Sequence, residues 1–109
     1  MKICKLLTFA ALASLVSTSV FALDADAAKA VAKQNNCFKC HAVDKEKEGP
    51  ALKSIAMKYK GKSDVEAKLI KHITSGEMAK FPDGHEEEHK IIKASPEETK
   101  NVVQWILGQ

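Results

Sequence analysis

The most informative stretch of this 109-residue chain is Cys37-Phe38-Lys39-Cys40-His41. Two cysteines at this spacing, followed directly by a histidine, are the attachment signal for c-type haem. Because the thiols stand three residues apart, both can reach the two vinyl groups on one edge of a porphyrin and form thioether bonds. The imidazole of the next residue then projects towards the iron. The motif predicts one covalently bound haem c (heme c), held by Cys37 and Cys40, with His41 as an iron ligand.

The beginning of the chain has the pattern of a secretory signal peptide. Two lysines precede an apolar run over residues 6–20, and Val20 and Ala22 supply the small residues that a signal peptidase requires. The apolar run is too short to be a membrane span. We therefore predict a signal peptide at residues 1–22, export to the periplasm, and one mature domain at residues 23–109 without stable membrane insertion.

The charge balance excludes one class of partner. The chain has 17 lysines and no arginine against 14 acidic residues, and two of the lysines lie within residues 1–22. The mature domain is therefore close to neutral and has too little positive charge to neutralise a row of phosphates. A polybasic nucleic-acid binder is excluded.

The two cysteines of the mature domain allow three other interpretations. A thioredoxin-like redox pair requires a βαβ context, and no segment alternates between apolar and polar residues. A structural zinc site would use Cys37, Cys40 and two histidines, but zinc sites usually pair their histidines near the end of a helix. A disulfide is the default in an oxidising compartment. Haem is favoured because so small a domain, with few aromatic residues, has a thin core that a porphyrin would fill.

The rest of the mature domain predicts an all-α fold of about four helices. Apolar residues recur at helical spacing, and Gly61 and Gly76 end two of the periodic segments. Residues 63–66 and 95–98 have the sequence of capping boxes and predict two helix starts. The predicted buried positions are Ala28, Val31 and Ala32 in the first helix, with Asp24 or Asp26 as its N-cap, and Val102, Val103, Trp105 and Ile106 in the last.

The order of these motifs resembles that of the small bacterial class I c-type cytochromes. Residues 37–41 are followed by Gly-Pro-Ala-Leu at 49–52, by Ile-Ala-Met-Lys-Tyr-Lys-Gly at 55–61, and by a last helix that carries Trp105. The resemblance implies a class I cytochrome c fold, in which about four helices surround one haem and the first and last helices cross beside it. It also implies a monomeric carrier of single electrons, not an enzyme, that meets its redox partners transiently through the exposed haem edge.

The same resemblance implies roles for residues around the haem. The Pro50 carbonyl would accept a hydrogen bond from the free ring nitrogen of His41, which fixes the tautomer of that ligand. Side chains expected to line the haem pocket are Leu52, Ile55, Tyr59, Leu69 and Trp105. Lysines near the motif would steer docking onto acidic partners, although acidic residues interleave with them and an ordinary solvated surface is the alternative. These lysines are Lys39, Lys45, Lys47, Lys53, Lys58, Lys60 and Lys62.

The second axial ligand departs from the family pattern. Family members have a methionine flanked by prolines, about half a dozen residues before the serine that caps the last helix. Counting back six residues from Ser95 arrives at His89, and no methionine stands nearby. We therefore predict His41 and His89 as the two iron ligands. His85, Met78 and an open sixth position remain alternatives.

A second imidazole determines the expected redox behaviour. It is a stronger donor than a methionine sulfur and favours ferric iron, so we predict a low-spin haem with a lower potential than His/Met relatives have.

Residues 77–94 form a long irregular segment for so small a domain, which leaves a second function open. A distal ligand that dissociates would make the protein a haem-based sensor or a small-ligand-binding, peroxidase-like protein. His72 is interpreted as a solvated surface residue, and Met57 as a packing residue.

Overall fold

The computed structural model describes residues 11–15 and 23–109. Its elements are, in chain order, α1 (Ala25–Gln34), a single 3-10 turn (Cys37–Lys39), α2 (Leu52–Tyr59), α3 (Val65–Thr74), β1 (Met78–Lys80), β2 (Glu86–Glu88) and α4 (Pro96–Leu107). The four helices confirm the predicted helical fold, to which the short pair of strands is an addition. Within the described ranges, no helix is long and apolar enough to cross a membrane.

The predicted signal peptide falls almost entirely outside the described residues. Of residues 1–22, only 11–15 are described, and these are exposed and form neither helix nor strand. Helix α1 begins at Ala25, two residues beyond the predicted start of the mature domain. The division at residue 23 stays a prediction.

Helices α1 and α4 begin at predicted caps. The side chain of Asp24 accepts a hydrogen bond from the backbone N–H of Ala27 at 3.0 Å, so Asp24 and not Asp26 is the N-cap. At α4, the Ser95 hydroxyl accepts from the Glu98 N–H and the Glu98 carboxylate accepts from the Ser95 N–H, which completes a capping box. Each start depends on residues adjacent in sequence, which is why it could be predicted.

Helix α4 is the centre of the core and packs against α1, α2 and α3. Val102, Val103 and Trp105 are buried, as predicted, while Ile106 is only partly buried at the edge of one cluster. The apolar stripe predicted for α1 is also buried, and Leu52 joins it from α2. Among the described residues, the core thus consists of two small clusters of side chains that share α4.

Two buried asparagines, which the sequence pattern does not single out, connect distant parts of the chain. Asn35, at the end of α1, accepts a hydrogen bond from the Lys93 N–H at 2.7 Å and donates one to the Val31 carbonyl at 2.9 Å. Asn101, in α4, accepts from the Asp24 N–H and donates to the Asp24 carbonyl. Helix α1 is therefore fixed both to α4 and to the segment that precedes α4.

Helix α3 begins differently from the prediction. The capping box predicted at residues 63–66 is wrong, because Asp64 is the N-cap, has a left-handed φ of 59° and makes no side-chain capping bond. Aspartate is one of the few residues that tolerate this conformation. A hydrogen bond from the Lys62 N–H to the Tyr59 carbonyl closes the turn after α2. Ser63, the first residue of the predicted capping box, therefore lies one residue before the N-cap. The predicted end is confirmed, since Gly76 follows α3 with a left-handed φ of 68°.

Residues 77–94 contain a hairpin where an irregular loop was predicted. Strands β1 and β2 are antiparallel, with Met78 opposite Glu88. Their turn includes Gly84, whose φ of 93° is open mainly to glycine. Strand β2 consists of three consecutive glutamates, so apolar and polar residues do not alternate there and the sequence gives no indication of a strand.

Candidate functional site

A cavity of ≈ 980 Å³ opens between α2, α3, α4, the 3-10 turn and the hairpin. Its volume lies at the upper end of the range of about 300–1,000 Å³ that small-molecule and cofactor sites occupy. The side chains that the family resemblance implies for a haem pocket all lie in its walls: Leu52, Ile55, Tyr59, Leu69 and Trp105. The cavity therefore has the size and the apolar character to take a flat macrocycle.

Both cysteines of the attachment motif line this cavity. A hydrogen bond from the His41 N–H to the Cys37 carbonyl closes the turn that carries both cysteines. Asn36, the residue before this turn, has a left-handed φ of 57°. Burial raises the pKa of both thiols, and at Cys40 the Glu48 carboxylate, 3.6 Å from the sulfur, raises the pKa further. Redox-active thiol pairs have a lowered pKa instead, so this environment disfavours the thioredoxin-like interpretation. The two thiols are not joined in a disulfide.

His41 lines the cavity beside the two thiols. Its Nδ1 lies 2.7 Å from the Pro50 carbonyl oxygen, which is the contact that the resemblance implies. Because a carbonyl can only accept, Nδ1 carries the hydrogen and Nε2 keeps its lone pair for a metal. Gly49 allows this close packing, since a Cβ at that position would lie 2.6 Å from Cε1 of the ring. The ring is thus held in the tautomer that an iron ligand needs.

We expect Gly49→Ala to displace the His41 ring. The added methyl group overlaps the ring, which cannot move away without losing its bond to the Pro50 carbonyl. Overpacking of this kind costs about 1–3 kcal/mol, so the thermal unfolding midpoint of the holoprotein should fall by roughly 5 °C or more.

The matched control is Gly108→Ala, because φ there is −87° and a Cβ would make only ordinary contacts at 3.5 Å. This variant should unfold at the wild-type midpoint or slightly above it. Equal midpoints for the wild type and both variants would contradict the argument for Gly49.

His89 lies in the same cavity as His41. The two ring centroids are 6.2 Å apart and the ring planes are inclined by 37°. An imidazole nitrogen binds a transition metal at about 2 Å, and the ring centre lies about 1 Å further out, so two rings on opposite sides of one metal ion have centroids about 6 Å apart. The observed separation is therefore the one expected for a single iron between two imidazoles.

The local contacts of His89 also suit a metal ligand. Its Nδ1 lies 2.9 Å from the Lys90 carbonyl oxygen, so the hydrogen is on Nδ1 and Nε2 is available. Its backbone N–H donates to the Glu77 carbonyl at 2.8 Å, which fixes this residue to the start of the hairpin. Burial lowers the pKa of the imidazole and so keeps the neutral form, which is the form that binds metals.

The structure places the alternative ligands less favourably. His85 lies at the tip of the hairpin, outside the cavity wall, where it contacts Asp83 and Glu87. The hydrogen bond to Asp83 raises the pKa of His85 and favours the charged ring, which does not bind metals. Met78 is in the cavity wall but is 57% exposed. Met57 is 76% exposed, so its interpretation as a packing residue is wrong.

His72 is not the solvated surface residue that its neighbouring lysines suggested. It lines the cavity, and its ring centroid is 4.5 Å from that of His89. Its Nδ1 lies 3.1 Å from a carboxylate oxygen of Glu77. Helical periodicity alone does not reveal that the chain returns over this part of α3, so no sequence signal could have found the contact.

The class of protein follows from this combination of fold and site. A helical domain with a Cys-X-X-Cys-His turn beside an apolar cavity of this size is a class I c-type cytochrome. A family model for cytochrome c matches residues 25–109, and the chain belongs to the cytochrome c family.

Individual relatives agree with this assignment. The chain is 39% identical to cytochrome c-552 of Nitrosomonas europaea over 107 residues, which is 98% of this chain and 97% of the relative. It is 28% identical to cytochrome c-551 of Pseudomonas aeruginosa, with 100% and 99% of the two chains covered. The crystal structure of the class 1 cytochrome MtoD from Sideroxydans lithotrophicus ES-1 is similar, with 70% sequence identity, a TM-score of 0.78, and coverage of 80% of this chain and 97% of that chain. The protein is accordingly an electron carrier and not an enzyme, with one covalent haem c attached through Cys37 and Cys40.

Proposed function

We propose that this cytochrome is a periplasmic carrier of low potential whose haem iron is held between His41 and His89. The observation that carries the proposal is the 6.2 Å separation of the two ring centroids, which matches two imidazoles on opposite sides of one iron. Haem iron supplies one-electron cycling between its ferric and ferrous forms. The signal peptide predicted at residues 1–22 supports the periplasmic location.

The contacts of the two histidines favour ligands that persist in both oxidation states. The Pro50 carbonyl holds His41 and the Lys90 carbonyl holds His89, and hydrogen bonds of this kind raise the basicity of an imidazole. Two strong nitrogen donors stabilise ferric iron more than a nitrogen and a thioether do, so the potential lies below that of His/Met relatives. Because neither residue has to move, electron transfer requires little rearrangement of the chain.

Lysines around the mouth of the cavity support transient docking onto an acidic redox partner. Lys39 and Lys58, two of the lysines predicted to steer docking, lie in the cavity wall. Lys53 instead pairs with Asp44 at 2.6 Å and contributes less. Further lysines in the cavity wall are Lys68, Lys80 and Lys90, whereas Lys71 there pairs with Glu77 at 3.5 Å. A small patch of this kind fits brief encounters of a monomeric carrier, and its effect on association should weaken as salt is added.

The absorption spectrum of the matured holoprotein tests the proposed ligation. The ferric form should lack the weak long-wavelength charge-transfer band of methionine-ligated haem, and both the ferric and the dithionite-reduced forms should be low-spin. The presence of that band would assign the sixth position to Met78 and overturn the proposal.

The same spectra separate electron transfer from the alternative of a haem-based sensor or peroxidase-like protein. Those functions need a distal ligand that leaves on reduction, so the reduced form would be five-coordinate and high-spin. His89 is half-buried and its backbone N–H is bonded to the Glu77 carbonyl, which favours a ligand that stays. We therefore expect the reduced protein to remain six-coordinate.

A further inference from the structure

The side chain of His72 packs against the proposed iron ligand His89. The ring centroids are 4.5 Å apart and the planes are inclined by 48°, which brings the two rings into direct contact. His72 is carried by α3, which is anchored in the core through Val65 and Leu69. Its side chain is 35% exposed, so most of the ring is covered. A rigid helix thus presents a ring to the proposed distal ligand.

Glu77 contacts both histidines. One of its carboxylate oxygens lies 3.1 Å from Nδ1 of His72, and the other lies 3.5 Å from the Lys71 ammonium. Because a carboxylate accepts, His72 donates through Nδ1. The backbone carbonyl of Glu77 accepts the N–H of His89 at 2.8 Å. The His72 ring and the His89 backbone are therefore fixed to one residue between α3 and β1.

A bond from an imidazole nitrogen to a metal does not by itself fix the plane of the ring, because the ring can rotate about that bond. The Nδ1 contact of His89 goes to the carbonyl of its own neighbour, Lys90, and would move together with it. The ring of His72 lies outside that segment, on α3, which packs into the core through Val65 and Leu69. We propose that His72, held by Glu77, positions the imidazole of His89 and so fixes the plane of the second axial ligand; this role rests on the proposed ligation by His41 and His89.

Substitutions at His72 in the holoprotein test this positioning role. His72→Ala removes the ring, whereas His72→Phe keeps an aromatic ring and loses the bond to Glu77. The first readout is the set of EPR g-values of the low-spin ferric haem, which depend on the angle between the planes of the two axial rings. The second is the affinity of the ferric protein for added cyanide, which competes with His89 for the iron. The matched control is His85→Ala, a histidine of similar exposure, 46%, outside the cavity wall.

We expect His72→Ala to shift the g-values and to raise the apparent cyanide affinity about tenfold, because loss of a residue that orients a metal ligand typically costs about 10–100-fold in metal binding. His72→Phe should show a smaller change in both readouts, and His85→Ala should match the wild type. If His72→Ala does not fold, His72→Leu fills more of the same space and takes its place in the comparison.

The outcomes separate the positioning role from the ligation. Wild-type g-values and cyanide affinity in a folded His72→Ala or His72→Leu protein would overturn the positioning role. The proposal that His89 binds the iron would still stand if His89→Ala loses the low-spin signal. A low-spin signal that survives His89→Ala would overturn the ligation and the positioning role together.

Discussion

The His89→Ala protein is expected to lose the low-spin ferric spectrum completely and to become high-spin. The variant removes the imidazole whose centroid lies 6.2 Å from that of His41, and alanine has no side-chain atom that can bind iron. The thioether positions Cys37 and Cys40 and the contact between His41 and the Pro50 carbonyl are unchanged, so the haem stays attached. Visible absorption and EPR spectra of the ferric holoprotein measure the change in spin state.

A second variant at the same position, His89→Met, tests the direction of the potential. A thioether favours ferrous iron relative to an imidazole, so the reduction potential should rise by on the order of 0.1 V, a fraction of the range of about 0.8 V that axial ligands cover. A redox titration followed by visible absorption measures this rise. An unchanged or lower potential would contradict the proposed ligand pair.

His85→Ala is the control for both variants, because this histidine pairs with Asp83 at the hairpin tip and lies outside the cavity wall. It should leave the spin state and the potential unchanged. If His89→Ala stayed low-spin and His85→Ala did not, the sixth ligand would be His85, and the hairpin would have to fold over the cavity when the haem is bound.

The predictable parts of the fold are those that depend on residues close together in sequence. The caps at Asp24 and at Ser95 and the glycine end of α3 are local events, and each forms as the sequence indicates. The start of α3 is not local in this sense, because the turn that leaves α2 determines the conformation of Asp64. The hairpin has strands of only three residues, and a strand of exposed glutamates lacks the alternation from which strands are predicted.

The candidate site could be predicted as far as covalent chemistry and spacing reach. The haem-attachment motif at residues 37–41 can be recognised from the sequence alone, and the separation of six residues from Ser95 indicates His89. The positions of His89 and His85 relative to the cavity needed the structure, since both lie on one segment and only the hairpin geometry places His89 in the cavity wall and His85 at the tip. The contact between His72 and His89 joins residues far apart in sequence, and no periodicity encodes it.

The second large effect is expected on removal of the haem, without which the chain should not fold. The core of the described residues consists of two small clusters on α4, and its largest fully buried side chains are two valines, Val102 and Val103. The ≈ 980 Å³ cavity borders both clusters. A domain of this size is already close to the lower limit at which burial of apolar surface supports a stable fold.

The cost of the cavity can be compared with the stability available. Without the haem, the apolar walls of the ≈ 980 Å³ site would be exposed to water, which costs about 25 cal/mol for each Å² of apolar surface. The whole stability of a small domain is about 5–15 kcal/mol. Collapse of the walls would lower this cost, but it would also remove the present packing of Leu52, Leu69 and Trp105. We therefore expect the native arrangement of the helices to be lost in the haem-free chain.

The measurement uses a Cys37→Ala/Cys40→Ala double variant produced without haem, with the His89→Ala holoprotein as the comparison. The double variant should lack a cooperative thermal transition in far-UV circular dichroism, and its amide NMR signals should be poorly dispersed. His89→Ala should keep both its helical signal and a cooperative transition, because its thioether bonds hold the porphyrin in the cavity. A cooperative transition in the haem-free chain would mean that α1 and α4, joined through the hydrogen bonds of Asn101 to Asp24, form a stable core without the porphyrin.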